Sequence, residues 1–185
     1  MSKVIIEKDG PIKTVWMNRP EKRNALDSEL LKEMIAALQA PVAADDRVVV
    51  IRGKGNVFCA GLDMAERSKS AGAGEASGIE VMLRAIELCP LPVVAVLQGD
   101  AIAGGNELAL HCDLVVASDK ARFGMSLAQV GLAPNWFLAK KLMEVLGPVT
   151  TREMLLLGDP LPSTKLHALG LIARCVPADT LEAEA

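Results

Sequence analysis

The stretch from Pro92 to Leu97 is apolar and runs straight into Gly99-Asp100-Ala101-Ile102-Ala103-Gly104-Gly105-Asn106-Glu107, after which Leu108-Ala109-Leu110 continues a helical pattern. A buried strand followed by glycines and then a helix demands a tight strand-to-helix turn. Glycine has no Cβ, so a backbone N–H beside it can approach another group closely. The first N–H groups of a helix lack internal partners and carry the positive end of its dipole. Glu107 falls in that first turn. A carboxylate beside preorganised N–H donors can act as a base next to a hole for an oxyanion. The same glycines also suit a turn that binds nothing, and a first-turn acid also complements the helix dipole.

A second passage repeats the pattern. Val48-Val49-Val50-Ile51-Arg52-Gly53 reads as a buried strand ending in glycine, followed by Phe58-Cys59-Ala60-Gly61-Leu62-Asp63-Met64. The N–H of Leu62 is free in such a turn to face a ligand. Two turns of this kind after two strands can give one N–H each to a single oxyanion hole.

Around these passages the chain alternates strands and helices, which defines an α/β fold. Val4-Ile5-Ile6 and Ile12 to Met17 flank Asp9-Gly10-Pro11 and read as a β-hairpin. Asp27 is placed to cap a helix whose apolar stripe is Leu30, Met34 and Leu38 with Leu31 and Ile35, and Pro41 stops it. Ser68 to Gly78 holds only small, polar or charged residues and reads as a loop, either plain surface or a flap over a pocket. Ile79 to Leu88 reads as a helix, Leu114 to Ala117 and Ala121 to Phe123 as strands, and Asn135 to Leu146 as a helix closed by Gly147-Pro148. Thr150-Thr151-Arg152-Glu153 has the pattern of a capping box opening another helix that ends at Gly158. Ser163 is placed to cap a short helix to Leu169, and Leu171 to Val176 reads as a last strand. Neither a dinucleotide fingerprint nor a Walker lysine is present.

Composition narrows the partners. The net charge of −3 and an aromatic content of 3%, with no tyrosine, argue against nucleic acid. No apolar run approaches the length of a membrane span. The N-terminal residues lack a signal-peptide core, so a cytoplasmic location is the expectation. At 185 residues and 51% apolar, a single domain with a sizeable core is expected. Cys59, Cys89, Cys112 and Cys175 include no CxxC pair and read as reduced, mostly buried thiols. His111 and His167 have no metal-ligand neighbour at helical spacing and read as structural.

Taken together, Phe58-Cys59-Ala60-Gly61-Leu62-Asp63 and Gly99 to Leu108 resemble the two signature segments of the crotonase (enoyl-CoA hydratase/isomerase) superfamily. Asn18-Arg19-Pro20-Glu21-Lys22-Arg23-Asn24-Ala25-Leu26 resembles its N-terminal motif, and Cys112-Asp113 with Ala121-Arg122-Phe123-Gly124 its next stretch. The resemblance implies a spiral of ββα units that binds acyl-CoA thioesters. It implies an oxyanion hole made by the backbone N–H groups of Leu62 and Gly104, with Glu107 as the acid/base. Lys22 and Arg23 fall where the family contacts the nucleotide part of CoA, though both also suit solvated surface. Ala25, Ala60, Asp63, Met64 and Leu127 are implied as further substrate-binding positions. No cofactor is implied, coenzyme A being part of the substrate.

One departure stands out. Family hydratases carry a second glutamate where Phe123-Gly124-Met125-Ser126-Leu127 has Leu127, and no acid occurs from Lys120 through Met143. Ser126, Gln129 and Asn135 are the nearby polar residues, and none titrates usefully near neutral pH. Three readings stay open. One is a hydratase-like enzyme working with one glutamate. Another is an isomerase, decarboxylase or thioester hydrolase that needs one base or only the hole. The third is a non-catalytic acyl-CoA-binding subunit.

The expected organisation is a crotonase-like core over residues 1–177 and, over 178–185, the start of a truncated C-terminal helical region. Family members carry further helices there that cover the acyl pocket and build trimers. A homo-oligomer, trimer or hexamer, is therefore implied by resemblance, and missing helices would expose apolar surface.

Overall fold

The structure, a computed structural model, describes residues 2–67 and 78–185. The loop expected from Ser68 falls outside the described residues up to Ser77, and Gly78 already begins a helix. The expected hairpin is β1 (Val4–Asp9) paired antiparallel with β2 (Ile12–Met17). Helix α1 (Ser28–Gln39) follows, capped as expected by Asp27, whose side chain accepts from the Leu30 N–H at 2.9 Å. Leu30, Leu31, Met34 and Leu38 are all buried, so the stripe read from spacing is the face that meets the core.

Strand β3 (Val48–Gly53) lies parallel to β2. A short α2 (Met64–Arg67) precedes α3 (Gly78–Glu87), and β4 (Val93–Leu97) pairs parallel with β3. Next come β5 (Ala101–Ile102), α4 (Gly104–His111), β6 (Leu114–Ser118) and β7 (Arg122–Gly124). The chain continues through α5 (Trp136–Arg152), β8 (Leu161–Pro162), α6 (Ser163–Ala168), β9 (Arg174–Val176) and α7 (Leu181–Glu184).

Six strands form one sheet in the order β1-β2-β3-β4-β6-β9, and β5-β7-β8 form a second. The chain visits the two layers in turn: β4 then β5 before α4, and β6 then β7 before α5. The segment after β3 does likewise, since Cys59 bridges Ala101 in parallel before α3 begins. This is the ββα repeat that the resemblance implies. Parallel strands covered on both faces read as near-continuous apolar runs, as Val93 to Leu97 does. The core between the layers holds fully buried Met17, Met34, Ile51, Phe58, Met82, Leu97, Leu108, Phe123 and Met125.

Two expected helix starts differ. Gly147, at φ 67 and ψ 173, breaks α5, and Pro148 begins its second half. Proline suits a first helical turn because its missing N–H would have no partner there. Thr150 therefore sits inside the helix and is buried, rather than capping it. At α6 the cap position belongs to Pro162. Ser163 is buried, and its hydroxyl donates to the Ser118 carbonyl at 2.7 Å, tying α6 to β6. The last strand is shorter than its apolar pattern, because Leu171 N–H is still bonded to the Leu166 carbonyl, closing the turn after α6.

Candidate active site

The two glycine-bearing passages come together where β3 and β4 end. The first is shaped by Asn24, which has no exposed surface. Its Nδ2 donates to the carbonyls of Lys54, Val57 and Phe58 at 2.9, 2.8 and 3.1 Å, and its Oδ1 accepts from the Arg19 N–H at 3.0 Å. These bonds tie the loop together, and the one to Phe58 satisfies a buried carbonyl. Asn24→Ala is expected to lower stability by about 2 kcal/mol, read from urea denaturation midpoints, because the buried Phe58 carbonyl would lose its partner and the loop its tie to Arg19.

Further on, Leu26 N–H donates to the Gly61 carbonyl at 2.8 Å and Asp63 N–H donates to the Leu26 carbonyl at 2.9 Å. This bridge engages the groups on either side of Leu62 and leaves its own N–H without a partner among the described residues. The second passage is held by Ile102 N–H to the Cys59 carbonyl at 2.9 Å and by Ala103 N–H to the Gly124 carbonyl at 2.8 Å. Ala103 adopts φ 49 and ψ −117, a region that an L-residue enters only under constraint from its surroundings. The turn delivers Gly104 to the first position of α4, its N–H likewise without a described partner. A Cβ on Gly61 would lie 2.9 Å from the Gly104 nitrogen, so the two passages are in direct contact there.

A cavity of about 680 Å³ opens beside this contact. Leu62, Gly104, Glu107 and Leu127 all line it, together with Ala60 and Met64. Glu107 projects from the first turn of α4, where the dipole favours its charged form. Burial works the other way and dominates: with a smaller contribution from the Glu80 carboxylate, it pushes the Glu107 carboxyl up to about 7. A carboxyl near 7 can both give and take a proton at neutral pH. Leu127 contributes a half-buried apolar surface packed onto the core, at the position where family hydratases have an acid.

A second cavity, of about 310 Å³, shares Ala60, Leu62 and Met64 with the first and is also lined by Lys22, Arg23, Ala25 and Asp63. Every site position read from sequence thus falls in one of two adjoining cavities. The side chains of Lys22 and Arg23 form no ion pair with a described residue. Asp63 is committed within the protein: Arg19 donates to its Oδ2 at 2.7 Å and Ala65 N–H to its Oδ1 at 3.0 Å, and these bonds hold its carboxyl below the usual range.

The cysteines and histidines line neither cavity. Cys59 and Cys112 are buried free thiols, and burial pushes both up, Cys59 to about 12. His111 stacks on Phe137 at 5.4 Å, its Nδ1 lies 2.7 Å from the Glu107 carbonyl, and burial lowers its basicity. Among the described residues no cluster of side chains could hold a metal ion, and no helix is long and apolar enough to cross a membrane.

The fold and these cavities define an α/β protein in which Leu62 and Gly104 line one cavity together with the Glu107 carboxyl. The family profile for enoyl-CoA hydratase/isomerase matches residues 7–185, and the chain belongs to that family. It is similar to the 2,3-dehydroadipyl-CoA hydratase of Escherichia coli, 33% identical over 187 residues, covering 98% of this chain and 72% of the relative. The short-chain-enoyl-CoA hydratase of Clostridium acetobutylicum is 31% identical, with 98% and 71% covered. A crystal structure of an enoyl-CoA hydratase/carnithine racemase from Magnetospirillum magneticum superposes with a TM-score of 0.92 at 29% identity, covering 100% of this chain and 72% of that one.

Proposed function

We propose that this protein hydrates the double bond of an enoyl-CoA thioester, with the N–H groups of Leu62 and Gly104 holding the thioester oxygen and Glu107 as acid/base. The observation that carries this reading is the Glu107 carboxyl, poised near 7 in a cavity that Leu62 and Gly104 also line. The thioester oxygen gains negative charge as the enolate forms, and two fixed N–H donors stabilise that charge without reorganising. The acyl chain would lie along the apolar wall that includes Leu127, and the phosphates of CoA near Lys22 and Arg23. A cation with no ion-pair partner among the described residues is suited to a phosphate.

The test is proton NMR of crotonyl-CoA in D2O. Deuterated 3-hydroxybutyryl-CoA is expected with the wild-type protein. Unchanged crotonyl-CoA would overturn hydration of this short substrate. The apolar Leu127 in the cavity favours a second reading, in which the chain binds acyl-CoA without hydrating it or runs an isomerase, decarboxylase or thioesterase reaction. Unturned crotonyl-CoA that nonetheless binds the protein would support that reading.

A further inference from the structure

A second carboxylate stands in the cavity, from an element that carries neither glycine passage. Glu80, in the first turn of α3, lines the same cavity as Glu107. Two contacts fix its place. Its neighbour Ile79 is buried against the oxyanion-hole turn, since a Cβ on Gly104 would lie 2.6 Å from Ile79 Cδ1. From another side of the cavity, Asn135 Nδ2 donates to Glu80 Oε1 at 2.7 Å. Asn135 is itself held, because its Oδ1 caps α5 by accepting from the Leu138 N–H at 2.9 Å. An amide whose oxygen is committed to a cap turns its NH2 in one direction, and here that direction is Glu80. The other carboxylate oxygen, Oε2, has no partner among the described residues.

We propose that Glu80, oriented by Asn135, is the second carboxylate of the reaction, holding and deprotonating the water that adds to the substrate in place of an acid at position 127. The proposal rests on the hydratase reading above. Glu80 Oε2 takes one proton from water as the water oxygen bonds to Cβ. The electron pair of the double bond shifts to form the enolate, whose charge rests on the thioester oxygen between the two N–H groups. The enolate then takes the Glu107 proton at Cα and the carbonyl re-forms. Glu80 ends protonated and Glu107 ionised, and a proton passed between them through water resets the site. The influence of Glu80 on Glu107 reports the same proximity, since Glu80 is the charge that adds to burial in raising it.

Glu80→Gln separates the roles. Hydration of crotonyl-CoA is expected to fall by about 10²-fold or more. Exchange of the α-protons of butyryl-CoA in D2O needs only Glu107 and the hole, and is expected to persist. The Glu107 carboxyl, followed by carbon NMR, is expected to titrate lower than in the wild type. Asn135→Ser keeps an N-cap oxygen but withdraws the donor from Glu80, and is expected to lose hydration selectively as well. Hydration by Glu80→Gln at the wild-type rate overturns the proposal, as does an equal loss of hydration and exchange. A wild type that exchanges but does not hydrate overturns it too. A wild type that does neither overturns the hydratase reading itself.

Discussion

Glu107→Gln is expected to lower turnover of an enoyl-CoA by about 10²–10⁴-fold, the range that a positioned acid/base contributes. The same substitution is expected to stabilise the folded chain at alkaline pH. Burial raises the Glu107 carboxyl from 4.5 to about 7. Between those values the folded protein holds a proton that the unfolded chain has released. Stability from this group is therefore fully present below pH 4.5, is lost as pH rises through about 7, and stays lost above it. The difference corresponds to about 3 kcal/mol. Glutamine stays neutral, so urea midpoints for Glu107→Gln should exceed the wild type at pH 8 and match it at pH 4. A gap of equal size at both pH values would mean that Glu107 ionises as an ordinary exposed glutamate.

Gly61→Ala is expected to lower kcat by about 10²–10³-fold, the loss seen when one oxyanion donor is removed. Gly61 has φ +88, where an L side chain is strained, and an added Cβ would meet the Gly104 nitrogen, the Ala103 Cβ and the Ile102 carbonyl, each at 2.9 Å. Relief requires the two passages to part, and their contact is what brings the Leu62 and Gly104 N–H groups together. Both amides survive the substitution, so a loss of rate would report their geometry rather than their chemistry. Gly105→Ala is the useful contrast. Its Cβ would fall 2.2 Å from the Cys59 carbonyl, a backbone atom that cannot swing aside. That variant, with the deeper overlap, should lose more stability than Gly61→Ala, whose overlaps at 2.9 Å are smaller and whose loss of rate should exceed its loss of stability. Steady-state kinetics beside denaturation curves separate the two effects.

What is legible in the sequence is local. Asp27 and its apolar stripe predict α1 because cap and period lie within a dozen residues. The turns at Gly61 and Gly104 are legible for the same reason: each lies in one strand–turn passage. The spiral is not, because alternation between layers depends on long-range pairings such as Cys59 with Ala101. The family resemblance supplies it instead. Thr150 misleads because a capping pattern cannot tell that Gly147 and Pro148 have already started the helix. Asn135 is visible as a polar residue near the vacant acid position, yet its meaning depends on Glu80, 55 residues away in sequence. Glu80 looks like any acid in a first helical turn. The seating of Ile79 against Gly104 and the hydrogen bond from Asn135 carry it into the cavity.

Loss of an α-proton from a saturated thioester requires a base at Cα and a hole for the enolate oxygen, whatever the final reaction. The decisive measurement is deuterium incorporation at Cα of butyryl-CoA in D2O, followed by proton NMR, for the wild-type protein and Glu107→Gln side by side. Exchange by the wild type that Glu107→Gln abolishes is the expected result. Exchange at the same rate in both proteins, or none in either, would contradict an enolate formed by Glu107 beside the Leu62 and Gly104 amides.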